Sequence, residues 1–129
     1  MHFYFIRHAQ SENNALWLET GTYQFRTEDP DLTPTGYEQA QLLARRLARG
    51  PVERDLPVAH WNPHNIDGFG ITHLYCSLMV RAVATGTIIA RELGLSLVAW
   101  EDLHEAGGIA DLDPETGVRT GLPGHNRAF

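Results

Sequence analysis

The chain contains no lysine and a single cysteine among its 129 residues. Because all ten of its basic residues are arginines, any anion site must be built from arginine, histidine or backbone amides. The lone cysteine, Cys76, excludes an internal disulfide and indicates a reducing compartment, so the sequence predicts a cytoplasmic protein.

Long apolar runs and an excess of positive charge are also missing. No apolar stretch approaches the length of a membrane span, and the N-terminus has no signal-peptide pattern, so we expect no membrane partner. The formal net charge of −6 argues against a nucleic-acid partner. A content of 43% hydrophobic and 20% charged residues is typical of a globular protein, and the length predicts one domain over residues 1–129.

The start of the chain carries the clearest functional signal. Residues 2–7 form an apolar, aromatic run that predicts a buried first β-strand ending in Arg7-His8. In open α/β sheets, ligands bind outside the carboxyl ends of the strands. Arg7 is suited to bidentate binding of phosphate or carboxylate, and His8 to the role of nucleophile or general base. Ser11 and Asn14 add polar groups nearby, although an Arg-His pair after a strand more often has no catalytic role.

Helix and strand signals alternate along the rest of the chain. Thr33 as N-cap and Pro34 at the first helical position predict a helix that ends at Gly50-Pro51. The other predicted elements are a short helix over 15–18, a second strand over 71–76, a helix from Ser77 to about Leu93, a third strand over 95–100, and loops over 51–70 and 101–129. This order predicts an α/β fold with parallel strands joined by right-handed crossovers.

Four segments in chain order carry a recognisable pattern. They are Arg7-His8-x-x-Ser11-x-x-Asn14, Leu32-Thr33-x-x-Gly36-x-x-Gln39-Ala40, Ser77-x-x-x-Arg81-Ala82-x-x-Thr85 and Leu103-x-Glu105. Together they resemble the histidine phosphatase superfamily, also called phosphoglycerate mutase-like. That family usually has Gly after the histidine and often Glu next, where this chain has Ala9 and Gln10. The resemblance implies a three-layer α/β/α fold with a mostly parallel sheet, of which this chain is an incomplete version.

The resemblance also implies a chemistry, which is phosphoryl transfer through a phosphohistidine, with phosphomonoester hydrolysis as the expected reaction. His8 would attack phosphorus and Glu105 would protonate the leaving group, although its acidic neighbours leave open the alternative of a surface carboxylate. The residues expected to bind the substrate, a phosphorylated small molecule or free phosphate, are Arg7, Ser11, Asn14 and Arg81. No metal or cofactor is expected, because the arginines supply the positive charge.

Arg81 is predicted in the first turn of its helix, and helix amino ends favour anions. The alternative for Arg81 is a solvated helix arginine without a ligand. The shared pattern with the Arg7-His8 segment favours phosphate binding. We therefore expect Arg7, His8, Asn14 and Arg81 to converge on one anion site.

One part of the family pattern has no counterpart here. Family members have a second histidine after a fourth strand, whereas only His104 and His125 follow the third predicted strand, and both are predicted in loops. The fourth strand would lie between the first and second strands. We therefore expect weak or no turnover. For the fold, we expect that those two strands pair directly, that the chain is a truncated version of a longer protein, or that a second copy fills the gap between the strands in a homodimer.

Other functions stay open at this point. A phosphoglycerate mutase would use the same His8 chemistry, and a non-catalytic anion-binding or interaction module would keep Arg7 and Arg81 without turnover. A metal site is the weakest alternative, because Pro63 argues against a shared helical face for His60 and His64.

Overall fold

The computed structural model describes residues 1–22, 24–50, 65 and 68–103, together with the backbone of residues 110–112 and 119–121. Its elements are α1 (Glu12–Thr20), α2 (Pro34–Ala48), β1 (Leu74–Cys76), α3 (Val80–Leu93), β2 (Leu97–Ala99), β3 (Ala110–Leu112) and β4 (Arg119–Gly121). Within this part of the chain, no helix combines the length and the apolar character needed to cross a membrane.

A parallel strand–helix–strand unit confirms the predicted α/β class. Strands β1 and β2 pair in parallel, with Leu74 opposite Leu97 and Cys76 opposite Ala99, and α3 connects them. Helix α3 begins at Val80, three residues later than predicted, and its N-cap residue Met79 makes no side-chain capping bond. The described residues therefore form a partial version of the expected fold.

The local signals at helix ends explain α1 and α2. Thr33 caps α2 by accepting the Gly36 N–H at 3.0 Å, and Pro34 occupies the first turn, which confirms the predicted start. Helix α1 is longer than the predicted 15–18 segment because Ser11 starts it with a capping box and Gly21, at φ 64°, ends it.

The core lies between α2, α3 and the parallel strands. Ala44, Leu47 and Ile89 form its buried centre, with partly buried apolar residues around them: Leu43, Phe69, Ile71, Leu74, Ile88 and Leu93. Helices α2 and α3 pack against each other, and α3 also packs on β1 and β2. This small core fixes the orientation of α3, whose first turns lie near the Arg7-His8 segment.

The prediction of a first strand over residues 2–7 is wrong. Residues 1–10 form no strand, and Phe3 and Phe5 are 73% and 97% exposed. A strand requires a neighbour to pair its backbone, and none of the described segments takes that position. Tyr4 instead anchors the segment, because its ring meets Phe69 edge-on at 5.4 Å and its hydroxyl donates to Asn65 Oδ1 at 3.2 Å.

The prediction of a loop over 101–129 is also corrected. Strands β3 and β4 pair antiparallel, with Ala110 opposite Gly121 and Leu112 opposite Arg119. Strands of three residues are too short to show the alternation that sequence periodicity detects. His104, Glu105 and His125 lie outside the described residues, as does most of the loop predicted over 51–70.

Cys76 should be nearly inert towards thiol reagents in the folded chain. The residue is buried in β1, and burial raises the pKa of its thiol, which lowers the thiolate fraction at any given pH. We expect slow labelling by a disulfide reagent at pH 8 without denaturant and fast labelling in concentrated urea. Equal rates in the two conditions would contradict the buried position of Cys76.

Gly36→Ala should destabilise the chain, although alanine is the better helix former. A Cβ at residue 36 would collide with the backbone carbonyl of Gln10. We expect a loss of about 1–3 kcal/mol in the free energy of unfolding, the usual range for overpacking, measured by urea titration. Gly50→Ala is the matched control, since a Cβ there meets nothing within 4 Å. Equal stabilities of the two variants would show that α2 does not approach Gln10 this closely.

Candidate active site

Side chains from two helices hold the backbone of residues 7–10 in place. The Ala9 N–H donates to Thr85 Oγ1 of α3 at 3.2 Å. The Gln10 N–H donates to Gln39 Oε1 of α2 at 3.0 Å. The segment is therefore fixed by hydrogen bonds to helices, although it belongs to no sheet.

A cleft of about 500 Å³ opens beside this segment. Its lining residues are Arg7, His8, Gln10, Asn14, Trp17, Leu18 and Gln39. The cleft thus brings together three predicted site residues, namely Arg7, His8 and Asn14. A guanidinium, an imidazole and an amide around one opening suit the binding of a phosphoryl group.

The His8 ring is held in an orientation that suits a nucleophile. Its Nδ1 lies 2.7 Å from the carbonyl oxygen of Ala9. Because a carbonyl oxygen only accepts hydrogen bonds, Nδ1 must carry the proton in this contact. In the neutral imidazole the lone pair is then on Nε2, which is the atom able to attack an electrophile.

Asn14 and Ser11 form the capping box of α1. Asn14 Oδ1 accepts the Ser11 N–H at 3.1 Å and the Ser11 hydroxyl at 3.0 Å. Because Oδ1 is engaged there, the planar amide directs its Nδ2 donors away from Ser11. Ser11 is only 2% exposed and does not line the cleft, and in this structure it positions Asn14; its role in binding substrate stays a prediction.

Arg81 does not line the cleft, and its convergence with Arg7, His8 and Asn14 stays a prediction. It is 8% exposed, and its Nη1 is 3.8 Å from Asp29 Oδ1. The same Asp29 oxygen accepts the Val80 N–H at 2.9 Å and so caps the start of α3. The guanidinium is therefore held by Asp29, a carboxylate that is not part of the four-segment pattern.

Sequence reasoning missed Asp29. The signal for it lies in tertiary structure, because Asp29 is 51 residues from the N–H that it accepts. Its 5% exposure is unusual for an aspartate and indicates a paired, structural carboxylate.

The proton donor expected at Glu105 lies outside the described residues, so its role stays a prediction. Within the described part of the chain, no three His, Cys, Asp or Glu side chains come together as a metal site.

Fold and cleft together describe an α/β protein with a histidine and an arginine at one surface opening. A model of the histidine phosphatase superfamily, branch 1, matches residues 3–59. The chain belongs to the histidine phosphatase superfamily, with the matched region covering the Arg7-His8 segment, α1 and α2. No solved structure matches the chain at a comparable level of significance.

Curated relatives agree with this assignment. A protein of Hydrogenobacter thermophilus named phosphoserine phosphatase 2 is 37% identical over 102 residues, covering 79% of this chain and 38% of that protein. A protein of Methylobacterium radiotolerans named 2,3-bisphosphoglycerate-dependent phosphoglycerate mutase is 33% identical over 91 residues, covering 70% of this chain and 32% of that protein. The chain therefore spans about a third of the length of these relatives.

Proposed function

We propose that the cleft binds phosphomonoesters and transfers their phosphoryl group to water through a phosphohistidine at His8. The observation that carries this proposal is the contact between His8 Nδ1 and the Ala9 carbonyl, which places the ring proton on Nδ1 and makes Nε2 the nucleophilic nitrogen, in a cleft that Arg7 also lines. The ligand is a phosphorylated small molecule, with free phosphate as the product.

The proposed reaction has two steps. First, His8 Nε2 forms a bond to phosphorus as the ester P–O bond breaks, and the leaving alcohol takes a proton from Glu105. Water then attacks the phosphohistidine and gives a proton to the Glu105 carboxylate as the P–N bond breaks, which releases inorganic phosphate and restores both His8 and Glu105. Arg7 and the Asn14 amide donate hydrogen bonds to the phosphoryl oxygens, where charge must be stabilised during both transfers.

The Ala9 carbonyl contributes to the first step. When Nε2 bonds to phosphorus, the imidazole gains positive charge while Nδ1 keeps its proton. The carbonyl dipole, 2.7 Å from Nδ1, stabilises that charge and keeps the ring in one orientation. Phosphate binding by Arg81 belongs to the same proposal, since Thr85, which accepts the Ala9 N–H, lies one turn after Arg81 in α3.

The similarity to a phosphoglycerate mutase supports a second candidate function. A mutase would form the same phosphohistidine and pass the group to a hydroxyl instead of water. The two candidates therefore differ in the acceptor and share the His8 step.

Product analysis tests both candidates. The chain is incubated with 4-nitrophenyl phosphate, with and without 3-phosphoglycerate, and the phosphorylated products are separated. We expect slow release of inorganic phosphate in both reactions. Formation of bisphosphoglycerate would favour the mutase, and phosphate binding without any transfer would leave only an anion-binding module.

A further inference from the structure

One face of α1 carries Asn14, the proposed hydrogen-bond donor to the phosphoryl group, and beside it two apolar side chains that line the cleft. Asn14, Trp17 and Leu18 are spaced i, i+3 and i+4, so they share one side of the helix, and all three line the cleft beside His8. Trp17 is 43% exposed and Leu18 is 75% exposed. Ligand pockets are typically lined by apolar and aromatic side chains with a few polar groups that fix orientation.

The charges around the cleft are suited to a single anionic group. Among the described lining residues, Arg7 supplies the permanent positive charge, and Gln10 and Gln39 are neutral amides. Glu12 and Glu19, on the same helix as Trp17, line a neighbouring cleft of about 370 Å³. A substrate carboxylate would therefore meet no second permanent cation in the described lining, and the helix that supplies Trp17 also carries the two carboxylates of Glu12 and Glu19.

We infer that Trp17 and Leu18 make the cleft selective for phosphomonoesters whose alcohol part is apolar, above all an aryl group. Esters whose alcohol part carries a second negative charge are disfavoured. The inference rests on the proposed function, since it takes the phosphoryl group to lie between Arg7 and Asn14. An aryl group on the ester oxygen then covers the indole of Trp17, which removes apolar surface of both partners from water.

Binding of phosphonates tests the selectivity without requiring turnover. Phenylphosphonate, methylphosphonate and phosphonoacetate share the anionic group and differ in what it carries. For the full chain, calorimetry should give a phenylphosphonate Kd about tenfold below that of methylphosphonate, a factor that corresponds to about 1.4 kcal/mol. Phosphonoacetate should bind no more tightly than methylphosphonate.

Substitutions then assign the effect to Trp17. Trp17→Ala should bring the phenylphosphonate Kd close to that of methylphosphonate. Trp100→Ala is the matched control, because Trp100 is 49% exposed but lies after β2, beside Tyr75 and away from the lining of the cleft. Trp17→Arg should bind phosphonoacetate more tightly than wild type does, and such a gain cannot result from loss of folding.

The outcomes separate this inference from the proposed function. A phenylphosphonate preference that depends on Trp17, without any phosphate release, would sustain the binding selectivity and overturn the hydrolase. Phosphate release with equal affinity for phenyl- and methylphosphonate would overturn the selectivity and leave the hydrolase standing. If none of the three phosphonates binds, the inference is wrong.

Discussion

Replacing His8 with alanine should abolish the slow release of phosphate, because removal of a catalytic nucleophile typically costs a factor on the order of 10⁴ or more in rate. The reason is that no other side chain in the proposed reaction forms a covalent bond to phosphorus. His8 is half-buried and its ring contacts the following carbonyl, so its loss should change stability little compared with activity. Steady-state release of 4-nitrophenol measures the effect.

His73→Ala is the matched control for this experiment. His73 is exposed, contacts Thr72, and does not line the cleft, so its variant should keep the wild-type rate. If wild type and His8→Ala release product equally, the residual activity arises elsewhere and His8 is not the nucleophile.

Asp29→Ala should produce the largest loss of stability among the variants discussed. Asp29 is 5% exposed, and the substitution removes both the acceptor for the Val80 N–H and the carboxylate beside the buried Arg81. Loss of a helix cap costs about 1 kcal/mol, and breaking a buried ion pair costs up to several more. We expect a combined loss of about 2–4 kcal/mol and a fall in Tm of roughly 10 °C.

Asp29→Asn divides that effect into its two parts. An amide oxygen can still accept the Val80 N–H, while the negative charge beside Arg81 is lost. We expect a smaller loss of stability than in Asp29→Ala, and tighter phosphate binding if Arg81 then turns to the cleft. Asp31→Asn serves as control because Asp31 is less buried and contacts Tyr37 and the Leu32 N–H. Equal stability of Asp29→Ala and wild type would exclude the capping role.

The elements that sequence predicted well are those whose signals are local. Thr33 and Pro34 mark the start of α2, and Gly94 ends α3 with φ 65°, so both helices were found. The first strand was predicted wrongly for the opposite reason. The apolar run over 2–7 satisfies every local criterion for a strand, yet strand formation depends on a pairing partner that local sequence does not reveal.

The same distinction applies to the site. His8 and Asn14 both line one cleft, and the capping box between Ser11 and Asn14 is a local signal that holds the Asn14 amide there. The pairing of Arg81 with Asp29 joins residues far apart in the chain, so no spacing rule could predict it. The single-domain assignment and the homodimer stay predictions.

Location of the phosphoryl group on the chain tests the central claim most directly. After brief incubation with 4-nitrophenyl phosphate at alkaline pH, trypsin should release a peptide over residues 8–26, in which His8 is the sole histidine. Tandem mass spectrometry should find one phosphoryl group on that peptide, at His8. A phosphoryl group on another residue, or hydrolysis in wild type with no phosphopeptide at any quench time, would contradict the phosphohistidine account.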